Sequence, residues 1–129
     1  MKHLKTVIFF VFILPFFKHP ANSQTIRVTP DRFAQLISDS TMQKLDVRTG
    51  IEYDLVGHIE GFIQINGTSK NFEKKVLQKM DPNIPVAVYC MSGHRSVDAC
   101  KKLEHIGFKT IYELDGGIIQ WIASGGKLE

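Results

Sequence analysis

Cys90 opens the segment CMSGHRS, residues 90–96, directly after four apolar residues, Val86, Ala87, Val88 and Tyr89. A thiol is a useful nucleophile as its thiolate. The apolar run reads as a strand, and a helix can begin at Ser96. The thiol then faces the positive end of that helix, and the intervening amides can curl round it and offer donors to an anion. Gly93 permits the tight or left-handed backbone such a loop needs. Arg95 adds a charge that cannot be titrated away. All three effects favour the thiolate and attract an anionic substrate. A buried structural cysteine is the plainer alternative, but it does not call for glycine, histidine and arginine within five residues. His94 reads equally as a group that attracts an anion or as an exposed loop residue. Met91 and Ser92 sit at the mouth of the expected pocket.

The elements that would position this loop can be read along the chain. A short strand over 26–28 is followed by Thr29 as N-cap and Pro30 at the first helical position. Phe33, Leu36 and Ile37 then form one apolar face. QKLDV, 43–47, is a strand, IEYDL a short helical stretch, and FIQIN, 62–66, another strand. KNFEKKVLQKM places Phe72, Val76, Leu77 and Met80 on one helical face, and two prolines in DPNIP end it. PVAVYC is a buried strand. SVDACKKLEHIG is a helix with Ala99, Cys100, Leu103 and Ile106 inward, stopped by Gly107. KTIYEL is the last strand. DGGIIQWIASGG closes with a helix carrying Ile118, Ile119 and Ile122, and with Trp121 in the core. Strands alternate with helices about five times, which predicts an α/β fold with one central parallel sheet and helices on both faces. The working end of such a sheet is the carboxyl end of its strands. Cys90 lies there, as does the DVR triplet ending the second strand.

Asp46, Arg48 and His58 read as structural rather than catalytic residues. Arg48 and Glu52, four apart, can form a local ion pair, and Asp46 can orient neighbouring backbone. Cys100 reads as a core position. It lies in the helix that follows Cys90, which holds the two cysteines beyond the reach of a disulfide. No metal-ligand spacing and no nucleotide fingerprint is visible.

The first residues have another use. MKHLK is basic, Thr6–Phe17 is apolar, and Ala21 and Ser23 stand at −3 and −1 of a cut before Gln24. That order is a secretory signal over residues 1–23. Its apolar part is well short of the roughly 20 residues that span a bilayer, and Pro15 interrupts it. The expectation is a single domain over 24–129, exported to the periplasm or the extracellular space, with no membrane contact after cleavage. Loss of Lys2, Lys5 and Lys18 takes the 16 basic residues to 13, equal to the 13 acidic ones. The basic balance belongs to the signal, so it gives no argument for nucleic acid.

CMSGHRS after VAVY resembles the active loop of the rhodanese-like sulfurtransferases. LDVRTGIEYDLVGHIEGFIQIN resembles that family's DVR and GHI segment, and IGFKTIYELDGGIIQWIASG its closing glycine pair and tryptophan helix. The three stand in family order, and the similarity as a whole runs over nearly all of the chain after the signal, from about Ile26 to Gly125. Phe62 stands where the family usually has alanine, and Asn66-Gly67 where a proline often ends the strand. The resemblance implies a rhodanese-like domain with Cys90 as nucleophile. The thiolate would take sulfur from a small anionic donor such as thiosulfate, or from a persulfide. It would pass it to a thiol, cyanide or a protein acceptor. Met91, Ser92, Gly93, His94, Arg95 and Ser96 would bind the donor, and no cofactor is implied. Cysteine-dependent phosphatases and arsenate reductases are the rival enzymes. They place five residues between cysteine and arginine, whereas four separate Cys90 from Arg95. The shorter cradle suits a sulfur atom better than a tetrahedral phosphate. A sulfur carrier or redox-partner module of the same fold is the non-enzymatic rival.

Overall fold

In the computed structural model, residues 22–129 are described, together with residues 2, 3, 7, 8, 11 and 13. The export signal read over 1–23 falls for the most part outside the described residues. Among the described residues, five strands and five helices alternate: β1 (Gln24–Val28), α1 (Pro30–Ile37), β2 (Gln43–Asp46), α2 (Gly50–Val56), β3 (Ile63–Gln64), α3 (Phe72–Lys79), β4 (Val86–Tyr89), α4 (Arg95–His105), β5 (Thr110–Leu114) and α5 (Gly117–Ala123). All strand pairs are parallel, in the order β1-β5-β4-β2-β3.

Strand alternation divides the core in two. Val86, Val88 and Cys90 pack with Phe72, Val76, Ala99, Cys100 and Leu103, which belong to α3 and α4. Ala87 and Tyr89 pack with Phe33, Ile118 and Trp121, which belong to α1 and α5. β4 is therefore covered on both faces, and every one of its side chains is buried. Thr29 caps α1 by accepting from the Arg32 amide, with Pro30 in the first turn. Thr49 and Glu52 form a reciprocal capping box at the start of α2.

Three expectations are corrected. β3 is two residues long rather than five, because it is an edge strand paired only with β2. Leu77 is exposed: Phe72 and Val76, four apart, fill the inward face of α3, and Leu77 lies further round. Ile119 and Ile122 are also exposed, since α5 turns Ile118 and Trp121 to the core. Among the described residues, no helix is long and apolar enough to cross a membrane.

Candidate active site

Cys90 leaves the carboxyl end of β4 and is fully buried. The chain then turns through Met91–His94 into α4. Gly93 sits at φ +90° and donates its amide to Cys90 Sγ at 3.1 Å. A side chain at Gly93 would be strained at that φ, and its Cβ would lie 3.1 Å from the Gly116 nitrogen. The closing glycine pair explains the packing. The amide of Ile118 donates to the Cys90 carbonyl at 2.9 Å, and that of Ile119 to the Met91 carbonyl at 3.1 Å. These carbonyls are thus held by α5. A Cβ at Gly117 would come within 2.6 Å of both.

The remaining loop residues divide by exposure. Met91 is half-buried against the α5-side core. Ser92 and His94 are exposed, and Ser96 is buried. The Cys90 thiol donates to Ser96 Oγ at 3.4 Å, and the Ser96 hydroxyl donates to Glu113 Oε1 at 2.8 Å. Glu113 also accepts from Arg27 Nη2 at 3.1 Å. Neither Glu113 nor Arg27 was expected at the site. A signal was present, since Glu113 stands two residues after Ile111 and so shares that residue's inward face of the strand.

Arg95 is not a free cation. Its guanidinium forks onto Glu52, Nη1 to Oε1 at 2.7 Å and Nη2 to Oε2 at 2.6 Å. This bidentate geometry is the strong form of the pair. The hydrogen bonds from Arg95 hold the Glu52 carboxyl down at about 2, against the effect of its partial burial, and Thr49 adds to the lowering. The expected Arg48–Glu52 ion pair is therefore corrected: Glu52 reaches across to Arg95, while Arg48 turns inward to Asp46.

Arg48 and Asp46 are both fully buried. Arg48 Nε donates to both Asp46 oxygens, and Nη2 donates to Asp46 Oδ2 at 2.7 Å and to the Gly57 carbonyl at 2.8 Å. The Tyr89 hydroxyl donates to Asp46 Oδ2 at 2.7 Å and accepts from the Ile59 amide at 3.1 Å. This cluster ties β2 and β4 to the segment after α2. It braces the floor beside the loop and does not touch Cys90 Sγ. His58 stacks on Tyr53 at 3.8 Å, and its backbone exchanges hydrogen bonds with Glu129. It anchors the chain's end rather than the loop.

Both cysteines are free. Burial pushes the Cys100 thiol well above its ordinary range, and Glu113 and Glu104 push the same way. Cys100 is therefore a poor source of thiolate. Among the described residues, no group of three or more His, Cys, Asp or Glu is placed to hold a metal.

Comparison with known proteins gives a consistent result. The family model for the rhodanese-like domain matches residues 29–124. A tRNA uridine(34) hydroxylase of Pelagibacter ubique is 33% identical over 110 residues, which is 84% of this chain and 36% of that protein. The chain spans about a third of the length of such curated relatives. A rhodanese-related protein from Thermoplasma volcanium superposes with a TM-score of 0.64 at 25% identity, over 80% of this chain and 96% of that one. An Anabaena sp. protein reaches a TM-score of 0.71 at 23% identity, over 79% and 81% of the two chains. That likeness speaks to the fold.

Proposed function

Because the chain belongs to the rhodanese-like domain family, we propose that it moves sulfane sulfur through a persulfide on Cys90. The observation that carries this reading is the Gly93 amide directed at Cys90 Sγ in a loop whose carbonyls are held by α5. An amide donor at that place stabilises negative charge on sulfur.

The Cys90 thiolate attacks the outer sulfur of thiosulfate or of a persulfide donor. A new S–S bond forms at Cys90. The donor's own bond to that sulfur breaks, and its electron pair leaves with sulfite or the donor thiolate. An acceptor such as cyanide or a thiolate then attacks the outer sulfur, and the S–S electron pair returns to Cys90. Since Cys90 is buried, the turn Ser92–His94, exposed at Ser92 and His94, must yield to admit the donor. Arg95, paired with Glu52, contributes less attraction than a bare cation. The relatives named as tRNA uridine(34) hydroxylases are more than twice as long. Their whole activity is a different claim from the thiol chemistry of the shared segment. Intact mass after incubation with thiosulfate tests the reading. A gain of one sulfur atom, mapped to Cys90 and removed by cyanide, is expected. An unchanged mass with Cys90 free would leave the carrier or partner-binding role.

A further inference from the structure

Cys90, Ser96 and Glu113 form a buried line. Sγ lies 3.4 Å from Ser96 Oγ, and Oγ lies 2.8 Å from Glu113 Oε1. Cys90 and Ser96 are fully buried and Glu113 nearly so. A serine hydroxyl has one proton to give. It can go to a sulfur anion or to a carboxylate, but not to both. In the structure it goes to Glu113.

We propose that Glu113 is a positioning residue that commits the Ser96 proton away from Cys90 and so opposes the free thiolate. The thiol form fits the line, because S–H then donates to Ser96. A sulfur-loaded Cys90 fits it too, because the inner sulfur of a persulfide carries no charge and asks nothing of Ser96. This second consequence rests on the sulfur-transfer reading; the first does not. Glu113 thereby biases Cys90 toward its thiol and loaded states over the bare nucleophile.

The charges around the line come from every packed element. Arg27 of β1 lies at 3.1 Å from Glu113, and Asp115, just past β5, lies at 3.9 Å from Arg27. Cys100, Lys101 and Glu104 of α4 line one pocket with Glu113 and Arg27, and Arg95 at the start of α4 is bound to Glu52 of α2. The Arg27 side chain is 48% exposed, so water screens much of its charge. It does not cancel the demand of Glu113 on Ser96.

The test is the ultraviolet absorbance of the Cys90 thiolate against pH, with no sulfur donor present. Each protein is read as the difference from its own Cys90→Ser counterpart. This needs no reagent to reach a buried sulfur. Glu113→Met removes both charge and acceptor at similar length, and it leaves Arg27 half in water near Asp115. On the acidic side of the titration, its thiolate fraction should exceed the wild-type value about tenfold, the effect of freeing one donor for a charged group. In a Ser96→Ala background the same change should raise it less than about threefold, because the hydroxyl that conveys the effect is gone. Equal effects in both backgrounds would overturn the proposal in favour of charge acting through space. No rise with Glu113→Met would overturn it outright. Should Glu113→Met fail to fold, Glu113→Gln carries the same cycle with a smaller rise. A thiolate response as expected, in a protein that gains no sulfur from thiosulfate or a persulfide, would reject sulfur transfer while leaving Glu113's role intact.

Discussion

Arg95 and Glu52 are joined across the mouth of the Cys90 loop by two short, parallel hydrogen bonds of 2.7 and 2.6 Å. Their side chains are 35% and 23% exposed. The pair links the first turn of α4 to the first turn of α2, and so fixes the loop's far end. It also removes most of the net charge that the sequence assigns to this place.

The pair sets a pH window. Glu52 is held at about 2 in the folded protein against an ordinary 4.5, mainly by hydrogen bonds from Arg95. A lowered carboxyl stabilises the fold above its unfolded value and loses that contribution as pH falls through the folded one. The contribution is thus full above about 4.5 and fades toward about 2. After discounting for exposure it amounts to about 1–2 kcal/mol. Unfolding free energies of wild type and Glu52→Gln, read from denaturant titrations, should differ by that much at neutral pH and converge near pH 2. A constant difference down to the acid end would reject the assignment.

The same variant frees Arg95. At low salt, Glu52→Gln should accelerate the reaction of Cys90 with thiosulfate, and Arg95→Ala should slow it. Both effects should shrink as salt rises, since the site is partly screened. A slower Glu52→Gln would show instead that the pair is needed for loop geometry.

Arg48 is expected to act on stability alone. It is buried against Asp46, so Arg48→Ala leaves a buried carboxylate without its partner. Losing one member of such a pair costs about 3–5 kcal/mol. Tyr89→Phe, which removes a hydroxyl bonded to Asp46 and to the Ile59 amide, should cost about 1–3 kcal/mol. Equilibrium unfolding measures both. The rate per folded molecule should stay near wild type, and a large loss of rate in folded Tyr89→Phe would place this cluster in the chemistry.

The strand–helix alternation, the loop and the inward face of α4 were legible because each is a local pattern. Apolar period, caps and glycine positions carry their own meaning along the chain. Partners across the sheet were not legible. Arg48 and Glu52 lie at helical spacing, yet Asp46 is closer to Arg48 in space and fully buried, so the buried pair forms there. Glu52 is then left to a residue 43 positions away. Glu113 joins Ser96 only because β5 lies beside β4 in the sheet. A carboxylate in register with a buried residue of its strand, as Glu113 is with Ile111, gives notice of such a partner without naming it. The exposed Leu77, Ile119 and Ile122 show the limit of reading a face from hydrophobicity alone.

Export is proposed from the order of residues 1–23. The fold is compatible with a cut before Gln24, because β1 begins at that residue; the cut turns the Gln24 amide, which donates to the Lys109 carbonyl at 2.9 Å, into an amine that still has protons to donate. Cleavage there would leave the edge strand whole. N-terminal sequencing of protein recovered from the periplasm or medium should begin at or near Gln24. Recovery of only the full-length chain, bound to membranes, would reject it.

The two cysteines should separate cleanly. Cys90→Ser should abolish thiosulfate:cyanide sulfur transfer and leave the fold intact, because serine keeps the size but forms no persulfide. Cys100 packs among Val86, Val88 and Leu103 in the α4-side core, and burial disfavours its thiolate. Cys100→Ser should therefore keep most of the rate per folded molecule. It should lose about 1–3 kcal/mol of stability, the cost of placing a hydroxyl in an apolar site. Iodoacetamide should modify Cys90 faster than Cys100 in the native protein, read peptide by peptide by mass. The loop around Cys90 is a short turn, whereas Cys100 lies in a helix interior. Phosphate monoesters should be poor substrates, because four residues rather than five separate Cys90 from Arg95. Normal sulfur transfer by Cys90→Ser, or phosphate ester hydrolysis far faster than any sulfur transfer, would remove Cys90 persulfide chemistry from this protein.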